Sequence, residues 1–540
     1  MVADGFVPWP THLADEYRAK GYWAGNSLYA EVMDALRSRS EGIVLVDERR
    51  RYSRDELVGA VEARAAGLAE AGLGPEDRVV VQLLNDADFV ITFLALLAVG
   101  SRPVLALPGH RRAELCHVAE LSGATAIAVP SAPGGDVMYA ELAAEVRSLV
   151  PSLLLTLIDG HLVDGHDIDR PGVNHRPPAV DPDDIALFLL SGGTTGLPKL
   201  IPRTHNDYAY NVRASSELCG FGPETVYLVA LPAGHNFPLG CPGFLGTFLR
   251  GGRVVMSTSP ASGRAFPLIK DEGVTTVAAV PAVAIQWMED AAADPSALAT
   301  LTLLQVGGAK LNPEGAKRIE PELGCRLQQV FGMAEGLLNY TREDDPIDVV
   351  IDTQGRPMSP GDEIRIVDSA GEPVPDGDVG ELLTAGPYTL RGYYRAPEHN
   401  ERSFSPDGFY RSGDLVRKHS SGNLIVEGRA KDHINRGGEK ISAEEVEDHA
   451  LAHPAIHNAA AVGVTDQKLG ERIGLFAVAN HPVDLDTLRQ HFQERGVAAF
   501  KCPELLFVVD DLPVTNVGKI DKVALRRQAD QHQAGRQGST

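Results

Sequence analysis

Residues 188–199 read Phe-Leu-Leu-Ser-Gly-Gly-Thr-Thr-Gly-Leu-Pro-Lys. The apolar run from Ile185 to Leu190 feeds a loop of small and hydroxyl-bearing residues, Ser191, Gly192, Gly193, Thr194, Thr195 and Gly196, and the segment ends at Lys199. These residue types at this spacing can wrap a polyphosphate. Glycines let backbone N–H groups approach the oxygens, hydroxyls donate further bonds, and the lysine adds charge. A Walker A loop carries its lysine directly after the last glycine and follows it with Ser or Thr. Here Gly196 is followed by Leu197, Pro198, Lys199 and Leu200, so the spacing excludes that loop. A passive Gly/Thr linker is the plainer account, but the segment's place directly after a buried strand argues against it.

The elements around this loop read as alternating helix and strand. Asp55 to Gly72 has helical spacing, Arg78-Val-Val-Val-Gln-Leu-Leu reads as a buried strand, and Phe89 to Val99 reads as a helix ending at Gly100. That alternation predicts an α/β fold with parallel strands. A second block spans roughly 185–340, with Gly252-Arg-Val-Val-Met-Ser and Thr275-Thr-Val-Ala-Ala-Val as strands. From about 360 the segments Glu363–Asp368, Ser369–Pro373 and Gly380–Thr384 read as short strands between Gly/Pro/Asp turns, giving a small β-barrel or twisted sheet. An αβ pattern resumes at Ser442, with helices over Ala443–Ala452 and Leu485–Arg495 and a strand over Ala459–Val464. The polar, glycine-rich stretch Gly428 to Gly438 marks the expected boundary, and the polar tail after Ala529 reads as disordered.

Bulk properties narrow the function class. A chain of 540 residues exceeds one ordinary domain of about 100–200 residues. Its net charge of -23 argues against a nucleic-acid partner, which calls for a basic patch. The apolar run Phe89 to Val99 is too short to span a bilayer, so no membrane association is expected, and the first residues show no secretory signal. The cysteines Cys116, Cys219, Cys241, Cys325 and Cys502 are scattered without a CxxC pair, which fits a reducing cytoplasm rather than a disulfide framework or a zinc site.

Four more segments accompany the loop. They are Gln329-Val-Phe-Gly-Met-Ala-Glu335, Tyr410-Arg-Ser-Gly-Asp414-Leu, Glu427-Gly-Arg429-Ala-Lys431-Asp432 with Asn435-Arg-Gly-Gly-Glu-Lys440-Ile, and Pro513-Val-Thr-Asn-Val-Gly518-Lys519-Ile-Asp. In this order, across almost the whole chain, they resemble the signature motifs of the adenylate-forming superfamily: acyl-CoA synthetases, peptide-synthetase adenylation domains and luciferases. The resemblance implies a large N-terminal core of stacked α/β subdomains plus a small β-barrel (residues 1–430), and a small mobile α+β C-terminal domain (431–540). It implies ATP and Mg²⁺ as cofactors. Residues 191–196 and Lys199 would hold the β- and γ-phosphates, Glu335 would ligate Mg²⁺, and Asp414 would accept hydrogen bonds from the ribose hydroxyls. Gly307, Gly308, Gln329, Val330, Phe331, Gly332 and Met333 would line the adenine side, Gly307 also bordering the acid, with Arg429 near ribose or phosphate and Lys431 at the hinge. Lys519 would bridge the substrate carboxylate and the α-phosphate.

The segment Leu231-Pro-Ala-Gly-His-Asn-Phe-Pro-Leu-Gly-Cys-Pro-Gly243 resembles the stand-alone aryl-acid ligases of siderophore and nonribosomal peptide pathways. By that resemblance His235 edges the pocket, Asn236 hydrogen-bonds the ring's 2-hydroxyl, and Phe237 packs on the ring. Dihydroxybenzoate enzymes tend to carry Ser and Val where this chain has Cys241 and Leu338. A thiol is a weak donor, and leucine narrows the pocket, so salicylate is favoured over 2,3-dihydroxybenzoate, 3-hydroxypicolinate or an anthranilate-type acid. Gly240 could enlarge the pocket slightly. The acceptor thiol would be the phosphopantetheine of an aryl carrier protein or coenzyme A. A luciferase-like oxygenase is disfavoured because an aryl carboxylate has no α-hydrogen, and a degenerate binding protein because Lys519 and Glu335 are both kept.

Overall fold

The computed structural model describes all residues except 1–3, 39–41, 132–137, 160, 163–167, 174, 192–196, 430–433, 437–438, 467–468, 496, 498–500, 516–518 and 538–540. Two large sheets carry the first part of the chain. In the seven-stranded sheet, Arg78–Val81 lies between Arg102–Leu105 and Ala126–Val129, all parallel, and Leu155–Ile158 extends the row. Ile185–Leu190 joins parallel to Arg102–Leu105, and Leu200–Thr204 closes that edge antiparallel, with Leu190 opposite Leu200. The phosphate-type loop is therefore the connection of a hairpin at a sheet edge. In the nine-stranded sheet, the parallel run Arg253–Met256, Val226–Val229, Thr276–Ala279, Leu303–Gly307 and Arg326–Gly332 ends in the antiparallel strand Leu338–Tyr340.

The interior strands are continuous apolar runs because both of their faces are covered. One buried cluster includes residues of both sheets and of the helices Leu28–Arg37, Arg54–Glu70, Ala87–Ala98 and His205–Leu218. Ala87–Ala98 is apolar apart from Asp88 and Thr92, which both accept from Arg64, and it is buried along almost its whole length. A helix with so little polar surface has no stable position at a surface. Its start is fixed by Asp86, whose side chain accepts from the Phe89 N–H.

The region after 360 folds as a four-stranded antiparallel sheet, Glu363–Val367, Gly380–Ala385, Tyr410–Lys418 and Leu424–Arg429, the twisted-sheet form of the expected β unit. One expected strand is absent: Ser369–Pro373 is a tight turn closed by Asp368 N–H to Glu372 O. Residues from 434 onward build another sheet, in which Ile456–Asp466 and Gly470–Ala479 form its long hairpin and Leu505–Val508 pairs parallel to the latter. The tail corrects a second expectation. Lys522–Gln537 is helical, because Leu525 and Ala529, four residues apart, are fully buried against Val462, Val464 and Phe476. Polar composition alone read it as disordered and missed that two-residue anchor. Among the described residues no helix is long and apolar enough to cross a membrane.

Candidate functional site

The ends of the phosphate-type loop are tied to each other. Ser191 N–H donates to the Lys199 carbonyl at 3.0 Å, and Lys199 N–H donates to Ser191 Oγ at 3.0 Å. Gly192, Gly193, Thr194, Thr195 and Gly196 lie outside the described residues. The Lys199 ammonium sits 5.6 Å from the centre of the Tyr393 ring, a cation–π distance. That same Tyr393 donates its O–H to Glu335 Oε1 at 2.7 Å and lies 2.9 Å from the Tyr410 hydroxyl. Burial, then the neighbouring Glu335 charge, drives the Tyr393 phenol far above its ordinary pKa, so it stays a proton donor.

Glu335 sits in the hairpin between Arg326–Gly332 and Leu338–Tyr340. The turn is built by position-specific backbone. Gly336 has φ +121°, and a Cβ there would lie 2.4 Å from Thr389 Cα. Only glycine fits so close an approach at that φ. The Glu335 carbonyl accepts from Leu390 N–H at 2.8 Å, and Arg203 Nη1 donates to the Ala334 carbonyl at 3.0 Å. Sequence reasoning missed both Arg203 and Tyr393. Arg203 is fully buried and paired with fully buried Asp207 at 2.7 Å. The sequence signal for it is an arginine inside an otherwise apolar strand, with an acid four residues later. Tyr393 carries no such signal.

The residues expected on the adenine side divide. Val330 is buried, Phe331 and Met333 are half-buried, and Gly332 is exposed. Gln329 departs from its expected role. Its Nε2 donates to the carbonyls of Val350 and Ile351 at 2.6 and 3.0 Å, its Oε1 accepts from Gln354 Nε2, and its backbone pairs with Thr341. Strand alternation sends its side chain away from that of Val330, and there it braces the strand to the segment after Tyr340. Asp414, 6% exposed, sits opposite Arg429 across two strands, and Arg429 Nε donates to its Oδ1 at 2.7 Å. Lys431 lies outside the described residues.

Tyr208, Phe237, Cys241, Val330 and Leu338 share one buried cluster. Asn236 is 7% exposed, and its Oδ1 accepts from the fully buried Tyr208 hydroxyl at 2.8 Å. A Cβ on Gly307 would meet the Phe237 ring at 3.1 Å and the Val330 carbonyl at 2.7 Å, so glycine there sets how close the strand comes to the ring. Gly240 opens space for Tyr208 rather than enlarging the pocket: a Cβ on it would lie 2.6 Å from the Tyr208 hydroxyl oxygen. Burial pushes the Cys241 thiol up to about 12, which rules it out as a nucleophile at neutral pH. His235 is pushed down to about 4, first by its enclosure in protein and then by the charge of Lys519, so the imidazole is neutral.

Lys519 belongs to the C-terminal part of the chain and stands on a turn closed by Thr515 and Lys519 and by the Val514–Ile520 bridge. It reaches across to the core, where its Cε lies 4.0 Å from the point a Cβ on Gly308 would occupy. Polar pairs join the two parts: Lys310 Nζ to Asp448 Oδ2 at 3.3 Å and His457 Nδ1 to Glu289 Oε1 at 3.0 Å. An isolated lysine on a late turn is thereby brought beside Gly308 and His235 of the core.

Two packed α/β sheets, a glycine-threonine hairpin and a lysine delivered from a separate C-terminal sheet define a nucleotide-handling α/β enzyme. The chain belongs to the AMP-binding enzyme family, whose sequence profile matches residues 33–394, while that of the AMP-binding enzyme C-terminal domain matches residues 445–519. It is 51% identical to a Streptomyces protein named salicylyl-CoA synthase / salicylate adenylyltransferase, covering 97% of this chain and 98% of that one. It is 47% identical to the 2,3-dihydroxybenzoate-AMP ligase of Bacillus subtilis, covering 97% of each. Among solved structures, the apo structure of MbtA from Mycobacterium smegmatis matches with TM-score 0.75 and 48% identity, over 97% of this chain and 99% of that one.

Proposed function

We propose that this enzyme uses ATP to convert a 2-hydroxy aryl acid, salicylate in preference, to its acyl-adenylate with release of pyrophosphate. It then passes the acyl group to a pantetheine thiol, either on an aryl carrier protein or on coenzyme A. The two acceptors present the same thiol arm. The observation that carries the reading is Lys519 beside Gly308 and His235, where a carboxylate on the aryl side would meet the α-phosphate. Its ammonium there offsets the negative charge that gathers as the carboxylate oxygen attacks phosphorus and pyrophosphate leaves. Neutral His235 suits this site, since a second cation would compete for the same carboxylate. Residues 1–430 would form the core and 431–540 the moving part, turning near Lys431, with the chain working in the cytoplasm.

Glu335 fits Mg²⁺ by the chemistry of its donor set. Mg²⁺ takes one or two carboxylates and draws its other ligands from phosphate and water, and no cluster of three or more His, Cys, Asp or Glu side chains competes among the described residues. Tyr393 fixes one carboxylate oxygen and leaves the other for the ion. When bound, the ion supplies charge neutralisation on the phosphates. Asp414 then takes the ribose hydroxyls, and Lys199 with the preceding loop takes the outer phosphates.

Two results test the pocket. Pyrophosphate exchange should favour salicylate over 2,3-dihydroxybenzoate by about tenfold or more, because a buried 3-hydroxyl facing the Cys241 thiol lacks a good partner, at about 1–3 kcal/mol. Cys241→Ser should narrow that ratio; an equal or reversed wild-type preference would sink the Cys241/Leu338 argument. Gly307→Ala should raise the KM for the aryl acid by roughly tenfold, the scale of a misfitted apolar pocket, while leaving the KM for ATP unchanged. A matching rise in both constants would place Gly307 outside the acid pocket.

A further inference from the structure

We propose that Tyr208 is a positioning residue that fixes which way the Asn236 amide faces, and so selects acids whose ortho substituent accepts a hydrogen bond over acids whose ortho substituent must donate one. This rests on the aryl-acid reading above. The Tyr208 O–H donates to Asn236 Oδ1 at 2.8 Å, and that oxygen is the acceptor recorded for it among the described residues. With Oδ1 engaged, the amide NH₂ is the face left for a ligand. An amide has nearly the same shape either way round, so only such a partner settles its orientation.

The surroundings hold Tyr208 still. It is fully buried on helix His205–Leu218 and belongs to the same apolar cluster as Phe237, Cys241 and Leu338. The Arg203 guanidinium carbon stands 4.8 Å from its ring centre, and Arg203 is itself locked to Asp207. Gly240 supplies the space its hydroxyl needs. A ring packed on all sides and placed within hydrogen-bond reach of one amide oxygen is built to orient that amide.

The chemistry of the ligand follows. In salicylate the phenol proton is donated to the neighbouring carboxylate, which leaves the phenol oxygen as an acceptor for the Asn236 NH₂. In anthranilate the amine still has an N–H to donate, and it would point at another donor. The structure thus discriminates between an ortho hydroxyl and an ortho amine without any direct contact from Tyr208.

The test compares pyrophosphate exchange with salicylate, anthranilate and benzoate for wild type, Tyr208→Phe and Asn236→Asp. In Tyr208→Phe the amide can turn over, so the salicylate-to-anthranilate ratio of kcat/KM should fall about tenfold, with benzoate, which has no ortho substituent, unchanged within about twofold. Asn236→Asp keeps an acceptor for Tyr208 and presents a second acceptor to the ring, so it should shift the same ratio toward anthranilate. An unchanged ratio in Tyr208→Phe, or benzoate falling in step with salicylate in that variant, overturns the proposal. Failure of the aryl-acid reading itself appears separately, as a wild type that activates none of the three acids, and removes this proposal with it.

Discussion

Lys519→Ala is expected to lower adenylate formation by about 10³-fold while leaving acyl transfer from preformed aryl-adenylate near its wild-type rate. Loss of one preorganised charge-stabilising donor is worth about 10²–10³ in rate, and Lys519 stands at the upper end because it would touch both reacting groups. The split between the two half-reactions is the discriminating feature. Lys519 lies on the C-terminal part and approaches Gly308 and His235 from across a polar seam. In the thiol step the nucleophile attacks the acyl carbon, the C–O bond to phosphate breaks and AMP leaves with its electron pair, so no ammonium is needed between an attacking carboxylate and phosphorus. Pyrophosphate release measured alongside thioester formation decides it. Near-normal release from the variant would remove Lys519 from the chemistry, and equal loss of both steps would make its role structural.

The second large effect belongs to Glu335→Gln, for which kcat should fall about 10²-fold or more, the scale of one lost electrostatic contact in the transition state. The Mg²⁺ concentration needed for half-maximal rate should rise, and the KM for the aryl acid should hold. The amide keeps the shape of the carboxylate and can still pair with the Tyr393 hydroxyl, so the hairpin held by Leu390 N–H and Arg203 should survive. That isolates the missing negative charge as the cause. An unchanged Mg²⁺ requirement would show that Glu335 does not ligate the ion.

Much of the architecture was legible because it is written in local patterns. The buried strands at 78, 253 and 276 and the helices at 54, 87, 443 and 485 each lie within a few residues of where periodicity puts them. The strand that leads into the glycine-threonine segment was equally readable, because its apolar run ends where the strand does, at Leu190. What escaped depends on contacts between distant segments. Tyr393 lies 58 positions from Glu335, and nothing in its own neighbourhood announces that contact. Tyr208 lies 28 positions from Asn236, inside a helix whose sequence reads as ordinary core. A motif names a stretch of chain but not the contacts of each side chain in it: the Gln329 amide is engaged by Val350, Ile351 and Gln354, which its own neighbourhood does not announce. The C-terminal helix was missed because two buried residues, Leu525 and Ala529, outweigh the polarity of the rest.

Two polar pairs cross the seam between the two parts of the chain, Lys310 with Asp448 and His457 with Glu289. The net contribution of a largely buried pair such as the first stays small, because its attraction must first offset the loss of hydration. An apolar seal of the same extent would clamp the lysine-bearing part in place after its work was done. In the proposed motion, polar clasps would let it go: they would register the docked pose accurately enough to aim one ammonium, yet water could take either partner once the pose is abandoned. The joint would then behave as a latch with a weak spring.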